Sequence, residues 1–303
     1  MARSFPPDVL VLDTDSLLHA RLGRGKGNPQ IAQAKSYRVP TDTFTPAVVT
    51  PELANEAALA EVLRRVKLET GRWDKASLLL PDSWFRINIL EMPTLPDRRG
   101  EANDVVRWSL KRTMPIDPDS LRLSWEVLSR SASGVRVLAV SAMDKPLAAI
   151  EKVFSAAGIE IVLIEPLGLN IWNAVTVREA DTKNDRLFFY LRNRDFTTAV
   201  FRGGQPLFIR SRNLNGERTL QQEIKLSASY LRDTLRTDAI DRCYVAGNGV
   251  GAEVVDTISS EFSSKVTMIS LHDVADSAAA GQLGSIVADY GAELAACTGV
   301  FAG

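Results

Sequence analysis

Two stretches of the chain repeat one plan, and this repetition limits the possible folds more than any other feature. Residues 8–38 read as strand, tight turn, strand, glycine-rich turn and strand: VLVLDTDSLLHARL, GRGKGNP, QIAQAKSYRV. Residues 186–212 read the same way: RLFFYLRNRDFTTAVF, RGGQP, LFIRSR. An amphipathic helical pattern follows each meander. Two meander-plus-helix halves in 303 residues imply two lobes, each long enough to bury its own core. The expected architecture is a two-lobed clamp, a design in which the first turn of each half holds phosphate.

Between the halves, the spacing predicts a helix with Thr50 as N-cap and Pro51 at its first position. It runs to Arg72, with Leu53, Leu59, Leu63 and Val66 on one face and Gly71 at its end. A strand, ASLLLP, follows. Residues 82–130 then break the rhythm: a strand DSWFRINILEMP, a helix EANDVVRWSLKRT closed by Met114-Pro115, and two strands, LRLSWEVLSR and GVRVLAVSAM. This is the pattern of an inserted subdomain, with Trp84, Trp108 and Trp125 expected to form its small core, the other reading being that one of them lines a partner groove. Asp144 is expected to cap a helix ending at Gly158, followed by the strand IEIVLIEP, the helix LGLNIWNAVTVREA and the linker DTKND. After the second meander comes an amphipathic helix with Leu220, Ile224, Leu231 and Leu235 on one stripe. The strand DRCYVAGNGVG, another helix, the strand KVTMISL and a closing helix over 282–298 complete the chain. Strand–helix alternation makes the class α/β. The expected division is a first lobe of 1–82 with 143–184, an insertion of 83–142, and a second lobe of 185–303.

Composition excludes several function classes. The net charge is −1 and the pI about 6.2, so the whole-molecule field favours neither nucleic acid nor membrane. Cys243 and Cys297 are the only cysteines, too few for a disulfide framework or a multi-cysteine metal site, and their apolar settings read as buried thiols. His19 and His272 are the only histidines, which argues against a histidine-ligated metal, and no G-x-S-x-G elbow is present. Neither a signal peptide nor a membrane-spanning stretch is legible, so a cytoplasmic protein is expected.

The tract LLLPDSWFRINILEMPTLPDRRGEANDVVRWSLKRTMPIDPDSLRLSWEVL carries a more specific pattern. Its Pro81-Asp82-Ser83, Phe85-Arg86, Met92-Pro93-Thr94-Leu95-Pro96, Met114-Pro115-Ile116 and Trp125-Glu126-Val127-Leu128 resemble PilM, the actin-like protein of type IV pilus assembly. The similarity continues through VLAVSAMDKPLAAIEKVFSAAGIEIVLIEPLGLN and, more weakly, over the whole chain. It implies an actin-like (ribonuclease H-like) fold of two lobes with duplicated βββαβα halves and an inserted small α+β subdomain. It also implies a cytoplasmic scaffold of type IV pilus biogenesis or related secretion machinery that binds the short cytoplasmic segment of PilN, a bitopic inner-membrane protein, in a groove between the insertion and the first lobe. The scaffold would sit at the inner membrane through that partner, without inserting itself; self-association is compatible with the resemblance, and nucleic acid is not an expected partner.

The family often binds ATP, with Asp-x-Gly at the first turn of each half. Here the first turn is Asp13-Thr14-Asp15: the acid is kept, but Asp15 stands where glycine is expected. Like charges about 4 Å apart repel by roughly 1–4 kcal/mol, enough to remove about one to three decades of phosphate affinity. Alignment on Val200-Phe201 places Tyr190 at the second acid and Arg192 at its glycine. The third contact, a glycine turn beside the adenosine in relatives, is Gly247-Asn248-Gly249, in which Asn tolerates positive φ. The expected cofactor site is therefore a vestige formed by Asp13, Gly247 and Gly249, with no catalytic residue and no metal ligand assigned. No cofactor is expected, with ATP and Mg as the ligands if the cleft is active. A linked expectation is that Asp15 and Arg192 face each other and hold the cleft closed.

Two further signals read as ordinary surface. Arg192, Arg194, Arg202, Arg210 and Arg212 make the second meander basic, either a solvated hairpin face or a site for an acidic partner or lipid headgroups. GRGKGNP lacks the spacing of a phosphate-binding P-loop and reads as a hairpin tip. The rival readings are an active ATPase or phosphotransferase, supported by Asp13 and Gly247, and a filament former.

Overall fold

The structure, a computed structural model, describes residues 5–23, 30–47, 50–112, 116–176, 184–214, 218–233, 240–248, 250–274 and 283–300. Its first sheet begins with an antiparallel meander, β1 (Asp8–Leu12), β2 (Ser16–Gly23) and β3 (Gln30–Arg38). A two-stranded ribbon follows, β4 (Phe44–Thr45) and β5 (Glu52–Leu53), then α1 (Glu56–Thr70) and β6 (Lys75–Leu80). The insertion contains β7 (Phe85–Met92), α2 (Arg99–Lys111), β8 (Leu121–Ser131) and β9 (Gly134–Met143). The chain returns through α3 (Asp144–Ala156), β10 (Glu160–Pro166) and α4 (Leu167–Thr176). The second half is β11 (Asp185–Arg192), β12 (Asp195–Arg202), β13 (Gln205–Asn213), α5 (Leu220–Asp233), β14 (Ile240–Gly247), α6 (Ala252–Phe262), β15 (Val266–Ile269), α7 (Leu271–Val274) and α8 (Ile286–Gly299).

The two five-stranded sheets have equivalent orders, β3-β2-β1-β6-β10 and β13-β12-β11-β14-β15. In each, the meander is antiparallel and the two strands added after helices run parallel to the first strand. The period of two along each central strand divides its side chains between two cores. Val9 and Val11 of β1 point into a cluster shared by both lobes, while Leu10 and Leu12 join α1 and α3 on the outer face. In β11, Phe188 and Tyr190 enter the shared cluster, and Leu187, Phe189 and Leu191 pack under α5 and α6. Both strands are buried on both faces, so they read as continuous apolar runs.

The seam between the lobes is α4 crossing α8. Gly299 is required there, because a Cβ would collide with the Asn170 carbonyl. Cys243 and Cys297 are free and buried, as their apolar settings predict.

Several local expectations are corrected. The first helix starts at Glu56, not at Pro51, because Asn55 is the cap: its Oδ1 accepts the Ala58 amide at 3.0 Å. Thr50 is buried, with its hydroxyl directed to the Trp84 carbonyl, and β5 just after it pairs with β4 before it. Asp144 is the first residue of α3 and makes no cap; its carboxylate holds Arg122 instead. The three tryptophans do not share a core. Trp84 lies in the first lobe, edge-on to Phe44 at 5.7 Å, Trp125 is half-buried, and Trp108 is 61% exposed. On α2 the spacing of Ala102, Val106 and Leu110 aims those three residues at the β7-β9-β8 sheet and leaves Trp108 on the far side. Met114-Pro115, Leu235 and the 24–29 hairpin tip lie outside the described residues.

Candidate functional site

The carboxyl ends of β1, β11 and β14 converge where the lobes meet, the usual position of a ligand site in open α/β sheets. Asp13 follows β1, Arg192 ends β11, Gly247 ends β14, and Glu293 projects from α8. Arg192 is the centre. Its Nε donates to Asp13 Oδ2 at 3.1 Å, one terminal nitrogen to Glu293 Oε1 at 2.8 Å, and the other to Ser16 Oγ at 3.0 Å. Its guanidinium also lies 5.1 Å from the Tyr290 ring. Tyr290 has non-helical backbone angles, a kink within α8. The Tyr190 hydroxyl donates to the same Glu293 oxygen at 3.4 Å.

The electrostatics follow from burial. Arg192, Asp13 and Glu293 are all nearly inaccessible to solvent. Burial alone would lower the Arg192 pKa, but Glu293, Tyr190 and Asp13 outweigh it and hold the guanidinium charged. Burial pushes Glu293 up, opposed by Arg192, and burial with the Glu293 charge pushes the Tyr190 hydroxyl well above its ordinary value. The network is therefore one cation held between two carboxylates, with a neutral phenol alongside.

The structure brings Asp13, Tyr190, Arg192 and Gly247 together and changes the pairing. Arg192 pairs with Asp13, not with Asp15. Asp15 is exposed, accepts the Ser16 hydroxyl at 2.9 Å, and is reached by Asn193 Nδ2 at 3.4 Å. Asn193 also donates to Asp13 at 3.2 Å and adopts φ 51°, the left-handed conformation that the hairpin turn after β11 requires. Gly247 has φ 117°, and a Cβ there would collide with the Leu191 carbonyl. Its glycine is explained by the close packing of β14 against β11. Gly249 lies outside the described residues. Glu293, Ser16 and Asn193 were missed from the sequence; the usable signal for Glu293 was a lone carboxylate in the apolar run GAELAACTG.

The groups that a Mg-nucleotide would meet here are already engaged. Asp13 already accepts the Thr14 amide, Arg192 and Asn193, and the Arg192 side chain stands between the two strand ends that phosphates would approach. Among the described residues, no group of three or more His, Cys, Asp or Glu side chains is placed to hold a metal ion.

A second junction explains the Pro81-Asp82-Ser83 signature. Asp82 is fully buried and its Oδ1 accepts the Gly168 amide at the start of α4 at 2.7 Å. A Cβ on Gly168 would collide with that carboxylate. Burial raises Asp82 to about 6, against the Gly168 hydrogen bond. Asp195, at the start of β12, is raised by burial to about 7, against hydrogen bonds from Ser83 and Asn213. The turn thus joins both lobes and the insertion.

The basic meander divides. Arg192 is internal, Arg202 is clamped to Asp185 through contacts of 2.5 and 2.7 Å, and Arg210 pairs with Glu223 at 2.9 Å. Arg194 and Arg212 are exposed.

No helix among the described residues is long and apolar enough to cross a membrane. No protein-family model matches the chain, and no curated protein matches it in sequence. Among solved structures, a chain of the PilM-PilN type IV pilus biogenesis complex matches 95% of this chain and 96% of its own length, with TM-score 0.77 and 18% identity. A Bacteroides thetaiotaomicron protein of unknown function with an actin-like ATPase fold matches 89% of this chain and 91% of its own, with TM-score 0.56 and 10% identity. Two equivalent lobes, a shared helical seam and an α+β insertion in the first lobe make this chain an actin-like ATPase fold, PilM-like in outline.

Proposed function

We propose that the protein is an adaptor of type IV pilus biogenesis that binds the cytoplasmic segment of a PilN-like membrane protein, and that its interlobe cleft no longer works as an ATPase. The fold-level match to a chain of the PilM-PilN complex supports the adaptor reading. The single observation behind the loss of nucleotide binding is Arg192, held between Asp13 and Glu293 at the strand ends. A phosphate entering there must pull the guanidinium from two buried carboxylates. Breaking such a pair costs about 3–5 kcal/mol, or roughly two to four decades of affinity. On this reading the protein sits in the cytoplasm, peripheral to the inner membrane through its partner.

The test is calorimetry with Mg-ATP, beside a pull-down with the cytoplasmic peptide of a bitopic membrane protein encoded nearby. The expected result is no heat of nucleotide binding below millimolar concentrations, with the peptide retained. Micromolar Mg-ATP binding, or turnover abolished by Asp13→Ala, establishes the ATPase reading instead.

A further inference from the structure

On the outer side of the second lobe, several guanidinium groups gather around one buried carboxylate. Glu223, buried on α5, pairs with both Arg210 of β13 and Arg218, at 2.9 and 3.3 Å. Arg212 follows two residues later on β13, and Arg86 reaches the same place from β7 of the insertion, whose strand packs beside β13. Among the described residues, no carboxylate lies within ion-pair distance of Arg86 or Arg212. The hydrogen bond Arg86 makes is to the carbonyl of its neighbour Phe85, at 3.4 Å. Burial lowers the pKa of Arg86, and the charge of Arg212 lowers it further. Burial also lowers Arg210, with Glu223 opposing and Arg212 and Arg218 adding to the shift. Half-buried cations crowded in this way gain from any anion that reaches them.

Beside the cluster, a groove of about 500 Å³ is lined by Arg218, Gln222, Lys225, Leu226 and Ser229. Leu226 and Tyr230, one helical turn apart on α5, are 42% and 40% exposed. Tyr230 is held against Phe208 of β13, with ring centroids 4.7 Å apart. The face therefore offers cations next to two apolar rungs. The whole chain carries net charge −1, so the cluster is local on a body that is otherwise acidic in balance. Screening confines its attraction to about 8 Å at physiological salt. A long polyanion lying across the molecule gains nothing elsewhere, whereas a short acidic segment meets only the cluster.

We propose that this face docks a short acidic segment of a partner protein, its carboxylates on Arg86 and Arg212 and its apolar side chains against Leu226 and Tyr230. The proposal is independent of the cleft and of any PilN-like partner. The probe is a fluorescent peptide of about eight residues alternating glutamate and leucine, with a lysine–leucine peptide as control, read by anisotropy at low salt. The glutamate peptide is expected to bind at least tenfold more tightly than the control and to weaken as salt rises. Arg86→Glu with Arg212→Glu is expected to cost tenfold or more, and Leu226→Ser about threefold. If the double variant does not fold, Arg212→Glu alone, at an exposed position, reads the same loss. Equal binding of the two peptides, or indifference to the charge reversals, overturns the proposal. So does tighter binding to anionic lipid vesicles or a single-stranded oligonucleotide with the same sensitivity to Arg212→Glu.

Discussion

The first and second lobes are built to the same strand order, and their first hairpins end in opposite charge. After β1 the chain turns through Asp13, Thr14 and Asp15; after β11 it turns through Asn193 and Arg194, with Arg192 as the last strand residue. Two equivalent acidic, glycine-containing turns would face each other across an open space suited to phosphate and metal. Here the second hairpin reaches across with Arg192 and Asn193 and satisfies Asp13 directly. The duplicated backbone is kept, but its cleft is filled by the protein's own cation. The two lobes are thus held together by an internal ion pair, reinforced by Glu293 from the seam helix.

The comparison breaks most readily at its centre. Arg192→Ala leaves two buried carboxylates without a counter-charge and should cost about 3–5 kcal/mol of stability in urea unfolding. A loss under about 1 kcal/mol means the two hairpins are not coupled through this residue. Next is Gly247→Ala, which meets the Leu191 carbonyl at positive φ and should cost about 3 kcal/mol through strain and overpacking. That loss should be the same with and without nucleotide; a variant that stays stable but changes ligand binding would reassign the glycine to the cleft.

The smallest effect sharpens the junction beside the cleft. Asp195 has a folded pKa of about 7, above its unfolded value of 3.8. The folded state therefore binds this proton more tightly, and the penalty for ionising it grows as pH rises from about 4 to 7. Asp195→Asn removes the penalty, so its gain in stability should be larger at pH 8 than at pH 5, by on the order of 2–3 kcal/mol. A pH-independent effect in thermal melts would show that Asp195 is already ionised and solvated in the folded protein.

Much of the architecture was legible because it depends on local periodicity. The meanders, the inserted strand–helix–strand–strand unit and the α/β alternation all follow from apolar spacing and turn residues. The start of α1 was not legible, since Thr50-Pro51 and Asn55 are both good start signals and tertiary pairing of β4 with β5 chose between them. The tryptophans were misread because composition does not say which face of α2 meets the sheet. Of the site, Asp13, Tyr190 and Arg192 were named, but their pairing was not. Asp13 and Asp15 are two residues apart, and only the relative placement of the hairpins decides which carboxylate faces the guanidinium.

From residue order alone came the duplicated halves, the insertion and the presence of Asp15, Tyr190 and Arg192 at the turns. These are one-dimensional facts, carried by spacing and side-chain type. What Arg192 does could come only from the packed molecule. Its partners lie 179 positions before it and 101 after it, and burial makes their charges interact strongly enough to matter.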